Sequence, residues 1–174
     1  MTSVTTDQLQ NFFATIFKID PAYIVPKGTN WFNPQSYLGT PDKPLTWLAF
    51  RLKENTPRTK AFQTVITNED ESLSQYLNTY SIAQIELQFI GQNAELYANS
   101  VKFFPERQDV SDQLSDCEGV IMNDDFRAVP NTYYQEGLNI VYAYNVNLRI
   151  EYTERIIVNQ QLAQGILDIS GALT

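Results

Sequence analysis

The side chains with the clearest capacity for chemistry are the carboxylates of the segment Glu106–Asp125. This segment carries seven acidic residues and one basic residue, Arg107. Asp109, Asp112 and Asp116 are spaced so that they could share one face of a helix. Clusters of carboxylate oxygens suit Mg²⁺ or Ca²⁺, but this spacing fits no known loop motif. Because charged helix faces are usually solvated, we favour an exposed face over a divalent-cation site.

The composition excludes sites that depend on imidazole or on pairs of thiols. The chain has no histidine, and Cys117 is its single cysteine. Thiolate zinc sites, Ser-His-Asp triads and Cys-His dyads are therefore ruled out. Two carboxylates suffice for glycoside hydrolysis, so a carboxylate-dependent hydrolase stays an alternative, although no pair is singled out by its surroundings. The sequence predicts a protein that is not an enzyme and has no metal and no cofactor.

The charge balance argues against a protein that grips nucleic acid. Twenty acidic residues stand against 12 basic residues, which gives a net charge of −8. Such a chain can lie close to DNA, but it is a poor candidate for binding the phosphates. No apolar run approaches the roughly 18 residues of a membrane span. The single cysteine fits a reducing compartment, so we expect no membrane contact and production in a cytoplasm.

A long strand from Leu138 to Tyr152 is the main element that must position these residues. Every second residue is apolar or aromatic, and a strand alternates its side chains with a period of two. At roughly 3.3 Å per residue the strand spans about 45–50 Å, so it either crosses the whole domain or projects beyond it. The buried face is predicted to consist of Ile140, Tyr142, Tyr144, Val146, Leu148, Ile150 and Tyr152.

A second alternating strand is predicted at 80–90, with amphipathic helices at 7–19 and 94–104. Thr6 or Asp7 caps the first helix, and Asn93 caps the second. Both strands have one apolar side and both helices have one apolar stripe, so they pack together. The fold class is α/β (α+β): a largely antiparallel sheet with one long strand, and helices packed on one face.

The remaining segments are assigned by their composition. Short strands are predicted at 23–25, 45–53, 59–67 and 120–122, a turn at 55–57, and weakly helical or irregular structure at 69–77. We expect residues 1–158 to form a single domain, followed by a C-terminal tail at 159–174.

A Pro- and Gly-rich loop at about 26–44 contains three aromatic residues, Trp31, Phe32 and Tyr37. Loops of this length are usually functional or disordered, and aromatic side chains favour docking against another surface. These three residues are therefore interface candidates. A small binding module whose aromatic loop recognises a sugar or a peptide is an alternative function.

Two segments together resemble a known family. In Ile82–Phe104, the strand QIELQFIG runs directly into a helix that begins NAELYA. In Phe126–Ile156, a step ending in proline leads through an aromatic-rich entry to the long alternating strand. This order resembles the neck terminators of contractile-tailed bacteriophages, relatives of the tail terminators. The matching residues are Gln84, Gln88, Phe89, Gly91, Asn93, Ala94, Ala98, Pro130, Tyr144, Leu148 and Tyr152.

The resemblance implies a structural virion protein at the junction of neck and tail, assembled in the host cytoplasm. Such proteins form a ring, usually a hexamer, that caps the tail tube, touches the sheath and meets the head-side connector or stopper protein. Genomic DNA passes through the ring without specific binding. An acidic wall would keep DNA from sticking, so Asp109, Asp112 and Asp116 are candidates for the channel or its rim. The alternative is an outward solvated face.

Overall fold

The computed structural model describes residues 4–26, 46–58, 60–67, 73–122, 126–131, 133–134 and 140–159. Within these residues the chain forms nine strands and three α-helices. The strands are β1 (Ile24–Pro26), β2 (Trp47–Pro57), β3 (Phe62–Thr67), β4 (Leu73–Ile90), β5 (Val120–Ile121), β6 (Val129–Pro130), β7 (Tyr133–Tyr134), β8 (Ile140–Val141) and β9 (Ala143–Asn159). The α-helices are α1 (Thr6–Phe17), α2 (Ala94–Ser100) and α3 (Gln108–Leu114).

The main sheet is built on the antiparallel pair β4 and β9. These strands pair from Gln75 with Asn159 to Ile90 with Ala143. The other side of β4 pairs with β2 and with β3, both antiparallel, and β1 joins β2 in parallel. Short strands β5 and β6 pair with β9, while β7 and β8 form a separate hairpin. The prediction of a largely antiparallel sheet around the two long strands is confirmed.

The helices cover one face of this sheet. The stripe of α1 packs on the inward side chains of β4 and β9, and buried residues of α2 and α3 complete the same core. Directly opposed residues of an antiparallel pair share a face, so Ile85 with Leu148 and Leu87 with Val146 form the floor of the core. The predicted stripe of α1 is fully buried: Leu9, Phe12, Phe13, Ile16 and Phe17.

The helix termini differ from the sequence prediction. The first helix is capped by Thr5, whose side chain accepts a hydrogen bond from the Gln8 amide, so the assignment of Thr6 or Asp7 was wrong. Asn93 occupies the cap position of α2 without a side-chain hydrogen bond. The helix predicted to continue to residue 104 ends at Ser100 and tightens into the 3₁₀ helix Val101–Glu106.

Several strand boundaries were also wrong, because pairing partners decide them. Within the described residues the long strand starts at Ala143 and continues to Asn159, while Ile140–Val141 pairs with β7 instead. Tyr142, predicted on the buried face, lies between these strands and is 53% exposed, so that assignment was wrong. Leu138 lies outside the described residues. The predicted turn at 55–57 is part of β2, which absorbs an irregularity between Leu52 and Glu54 and continues pairing. The segment 69–77, expected to be weakly helical or irregular, belongs to β4 from residue 73 onward.

The two long strands divide the sheet into two regions. We call the three-stranded extension of β3, residues 73–80 of β4 and residues 153–159 of β9 the arm. We call the rest of the main sheet, including residues 81–90 of β4 and 143–152 of β9, the covered half. None of the described arm residues belongs to either apolar core cluster, so the long strands do project beyond the domain core.

Candidate interaction surfaces

The acidic side chains of residues 106–118 lie on the outside of the helical layer. Asp109 accepts hydrogen bonds from the Arg107 guanidinium, at 2.9 Å from Nε to Oδ1. The same guanidinium donates to the carbonyl of Ile16 at 3.1 Å, which ties α3 to the end of α1. The hydrogen bond from Arg107 lowers the pKa of Asp109. Arg107 therefore offsets part of the acidic charge of this segment.

The three candidate aspartates do not converge on a single point. Asp109 and Asp112 lie in α3, whereas Asp116 lies in the following 3₁₀ turn Ser115–Cys117. Asp112 accepts a hydrogen bond from Gln108 Nε2 at 2.7 Å. All three side chains are exposed. In the described ranges, no group of three or more acidic, Cys or His residues is placed so that it could hold a metal ion.

The three aromatic residues of the Pro- and Gly-rich loop, Trp31, Phe32 and Tyr37, lie outside the described residues. Their role at an interface stays a prediction.

The arm carries exposed apolar side chains that the sequence analysis did not single out, with Phe62, Ile66 and Tyr80 on one face and Val65 and Ile156 on the other. Five large apolar or aromatic side chains on it are solvent-exposed although they belong to regular strands. Two of them, Phe62 and Tyr80, contact each other with their ring centroids 5.3 Å apart. The exposed fractions are 36% for Phe62, 60% for Val65, 39% for Ile66, 41% for Tyr80 and 57% for Ile156.

The arm is held in shape by its ladders and by polar side chains rather than by an apolar core. Asn78 is buried and donates to Thr64 Oγ1 at 2.6 Å across the strands. At its base, Thr153 donates to the carboxylate of Glu118 at 3.0 Å, and Arg155 forms an ion pair with the same carboxylate. These polar contacts hold the strands of the arm in position, and the apolar side chains remain exposed at its surface.

Charge is nearly absent from the arm. Its three strand segments contain only two charged residues, Glu154 and Arg155, which have opposite signs. The whole chain carries 32 charged residues and a net charge of −8. Depletion of charge together with exposed aromatic and β-branched residues is the composition of a protein interface core. A polar solvated surface would normally carry many more charges.

The face of the covered half opposite the helices bears a small apolar cluster of Trp47, Ile90 and Ala143 and is otherwise largely polar. It carries charge pairs that balance one another, with Arg51 Nη2 lying 3.1 Å from Glu86 Oε2 and Lys53 Nζ 3.5 Å from the same oxygen. Arg58 pairs with Glu151 at 3.0 Å nearer the arm. This surface therefore presents mixed and locally neutralised charge rather than a basic patch, and it does not have the composition of a phosphate-binding surface.

A cavity of about 230 Å³ lies where β4 turns into α2, and it is lined by Gly91, Gln92, Glu95, Tyr142 and Tyr144. The hydroxyl of Tyr144 donates to Glu95 Oε2 at 3.2 Å. Local desolvation, and then the Glu95 carboxylate, raise the pKa of this phenol. The residues that line the cavity include one carboxylate, that of Glu95, and no cysteine, serine or lysine that a base could activate. The cavity therefore offers hydrogen bonds but no catalytic pair.

The comparisons with known proteins give no family assignment. No protein-family model matches this sequence, and no curated protein matches it. Among the described residues, no helix has the length and apolar character required to cross a membrane. Functional inference therefore depends on the surfaces themselves. A signal for the arm was present in the sequence, because residues 62–67 and 73–80 contain no charged residue at all.

Proposed function

We propose that this chain is a structural protein of the neck of a contractile-tailed bacteriophage. It forms a ring, usually of six copies, that terminates the tail tube and sheath and joins them to the head-side connector or stopper protein. The chain acts in the virion, at the junction of neck and tail, and it is assembled in the host cytoplasm. The resemblance of the segments Ile82–Phe104 and Phe126–Ile156 to neck terminators is the origin of this proposal.

The observation that carries the proposal is the arm. A protein that works alone has no use for a projecting sheet with five exposed apolar side chains, since such a surface costs solubility and invites association. A component of a permanent assembly needs surfaces of this kind, because they become buried when neighbours join. The long strands anchor the arm in the covered half, so a partner that binds it is coupled mechanically to the domain core.

The channel through such a ring has to let a polyanion move. Lys and Arg on its wall would release counterions and hold the DNA, whereas Asp109, Asp112 and Asp116 on the wall or rim would not. These residues are exposed on the helical layer, which leaves them available to a channel or to bulk solvent. We propose that DNA passes through without specific binding and that the ring has no enzymatic activity, metal or cofactor.

Neither alternative function gains a specific observation. The loop of the sugar- or peptide-binding alternative, with Trp31, Phe32 and Tyr37, lies outside the described residues. A carboxylate-dependent hydrolase needs two carboxyl groups facing each other across a cleft. The described cavity is lined by one carboxylate, that of Glu95.

The proposal is tested by the mass and the location of the assembly. Purified protein is studied across a concentration series by mass photometry and negative-stain electron microscopy, and phage particles that carry this chain are labelled with an antibody against it. We expect rings with an axial opening, a mass near six copies, and label at the junction of neck and tail. Monomers at every concentration together with label elsewhere on the particle would overturn the proposal.

A further inference from the structure

We propose that neighbouring copies pair through their arms, with β3 of one copy adding to the distal segment of β9, residues 153–159, in the next. The two arms then form one continuous sheet. This inference rests on the proposed function, because it specifies how the copies of the ring contact each other. The copies contact each other through backbone hydrogen bonds between two strand edges, and not only through the burial of apolar side chains.

Within the described part of the chain, β3 has an open edge, and β9 has one from Ile156 onward, beyond the Glu118 side chain that bonds Thr153 and Arg155. β3 pairs with β4 from Phe62 to Thr67, and the distal segment of β9 pairs with β4 on one side. On the other side of β9, β5 pairs only with Glu151 and Ile150, and β6 pairs only with residues 144–145. Neither strand therefore pairs with the distal segment. An open edge presents a row of amide and carbonyl groups that can pair with another strand.

The two edges differ in the features by which proteins usually protect them. Natural edge strands carry Lys or Pro, or are interrupted by bulges, to prevent further pairing. β3 has the sequence FQTVIT, with neither charge nor proline, and its pairing with β4 has no bulge. The distal segment of β9 carries Glu154 and Arg155, which have opposite signs, and a register irregularity between Ile157 and Asn159, but its end from Ile156 to Asn159 is uncharged, IIVN. Both segments are rich in β-branched residues, which favour strands. The unprotected edge of β3 and the uncharged end of β9 indicate that these edges are paired in the working assembly.

A second copy of this chain is the partner that the charges favour. Two copies with a net charge of −8 each repel one another over most of their surface, but the arm brings no excess of like charge to the contact. A partner of opposite charge would be drawn to the acidic surfaces instead. Lys60, just before β3, and Glu154, on β9, are both exposed and form no ion pair with another described residue. Each edge therefore has a charged neighbour that suits the other edge.

The direction of the strands is compatible with a ring. β3 and β9 are both antiparallel to β4, so they run in the same direction on opposite sides of the arm. Copies related by rotation about an axis along the strands would therefore pair β3 with β9 as parallel strands. Contacts that join two different surfaces continue from copy to copy and close into a ring when the rotation between copies permits it, whereas contacts between identical surfaces stop at a dimer.

The register gives a direct test by chemical cross-linking of introduced cysteines. Gln63 lies opposite Leu77, and Leu77 lies opposite Ile156, so these residues form one row across the arm with their side chains on one face. Gln63 and Ile156 are exposed at the two open edges. We make Gln63→Cys and Ile156→Cys in separate chains and treat each alone, and their mixture, with a short bis-maleimide. The native Cys117 is buried, and its burial raises the pKa of the thiol, so it competes little.

We expect cross-linked dimers in the mixture and none in either variant alone. A chain that carries both substitutions should give a ladder up to the size of the ring. Dimers in a single variant would mean that identical edges meet, and this overturns the head-to-tail pairing. Rings that form without any cross-link in the mixture overturn the edge pairing and leave the proposed function intact. Monomers in every sample, with antibody label absent from the neck, overturn both.

A matched pair of charge insertions provides a second test that does not depend on the register. Val65 on β3 and Leu96 on α2 have similar exposed fractions, 60% and 69%. Val65→Lys places a charge on the open edge strand, whereas Leu96→Lys introduces the same charge on α2, outside the arm. Both variants should melt at the same temperature as the wild type. We expect the dissociation constant for assembly to rise at least about tenfold for Val65→Lys and to stay unchanged for Leu96→Lys. Equal assembly of Val65→Lys and the wild type would contradict the proposal.

Discussion

The covered half and the arm are built from the same two long strands but differ in whether helices cover them. β4 and β9 have 18 and 17 residues and pass through both regions. In the covered half their inward side chains, such as Leu87 and Leu148, have no exposed surface. In the arm, eight residues further along the same face of β9, Ile156 is 57% exposed. Alternation of apolar residues therefore marks a strand face, but only packed helices convert that face into a core.

The difference also separates stability from association. Burial of apolar area in the covered half provides most of the free energy of folding. The arm buries little, and small sheets without a packed face are only marginally stable alone. It keeps its shape because its strands continue out of the covered half. Its exposed side chains are available to stabilise an assembly. Substitutions in the covered half should therefore lower the free energy of unfolding, whereas substitutions in the arm should weaken assembly and leave the fold nearly unchanged.

The largest contrast is expected from one substitution made twice on β9. Leu148→Asp buries an unpaired carboxylate and should cost at least about 4 kcal/mol, enough to unfold the domain. Ile156→Asp, on the same face of the strand, should cost less than about 1 kcal/mol, because the side chain reaches solvent. Thermal and urea unfolding followed by circular dichroism measure both. A soluble Leu148→Asp variant with a cooperative wild-type transition would contradict the assignment of this face to the core.

A second pair compares aromatic rings. Phe17 packs among Phe89, Phe104 and Tyr97, with its ring centroid 5.0, 5.3 and 5.9 Å from theirs. Phe17→Ala should cost about 3–5 kcal/mol, because the cavity it leaves cannot collapse fully. Phe62→Ala on the arm removes a half-exposed ring and should cost less than about 1 kcal/mol. Similar losses of unfolding free energy in urea would show that the arm has a core of its own.

The acidic helical layer gives a contrast in assembly rather than in folding. Six copies around an axis would bring Asp109, Asp112 and Asp116 together, and their repulsion weakens as salt screens it. If this segment lines the channel or rim, assembly of the wild type should strengthen by a few-fold between low and moderate salt. Replacing all three residues with Asn should remove most of that dependence.

Sedimentation velocity at the two salt concentrations measures this effect. The arm, whose two charged residues have opposite signs, contributes little to it, so the triple variant isolates the helical layer. Identical salt dependence in the wild type and the triple variant would exclude the channel assignment and leave the ring unaffected.

The smallest effect concerns a single ion pair at the surface of the helical layer. Arg107 lowers the pKa of Asp109 in the folded state, so the folded state favours the carboxylate. This stability is present above the unfolded pKa, near 3.8, and is lost as pH falls through the lower folded pKa. Solvent screens an exposed pair, which limits the contribution to about 0.5 kcal/mol.

The wild type should therefore lose slightly more stability than Asp109→Asn between about pH 5 and pH 2. Urea unfolding across this range measures the difference. A wild type that instead gained stability relative to the variant on acidification would contradict the direction of the pKa shift.

The sequence by itself determined the elements that make local patterns. The stripe of α1, the inner residues of α2 and the alternation of Val146, Leu148, Ile150 and Tyr152 follow from the periods of a helix and a strand. These periods predicted the fold class and the core. They also predicted exposed aspartates in the acidic segment. In each case the pattern is contained in a few adjacent turns or residues.

Only the tertiary structure decided where the strands end and what lies beside them. Leu73–Tyr80 has no clean alternation, and it becomes a strand because β3 and β9 pair with it from both sides. Residues 55–57 stay in β2 because their partners on β4 continue past a bulge. The arm, and with it the best candidate for an interface, arises from hydrogen bonds between residues distant in sequence. No local period encodes such pairing, since an edge strand and a central strand can have the same composition.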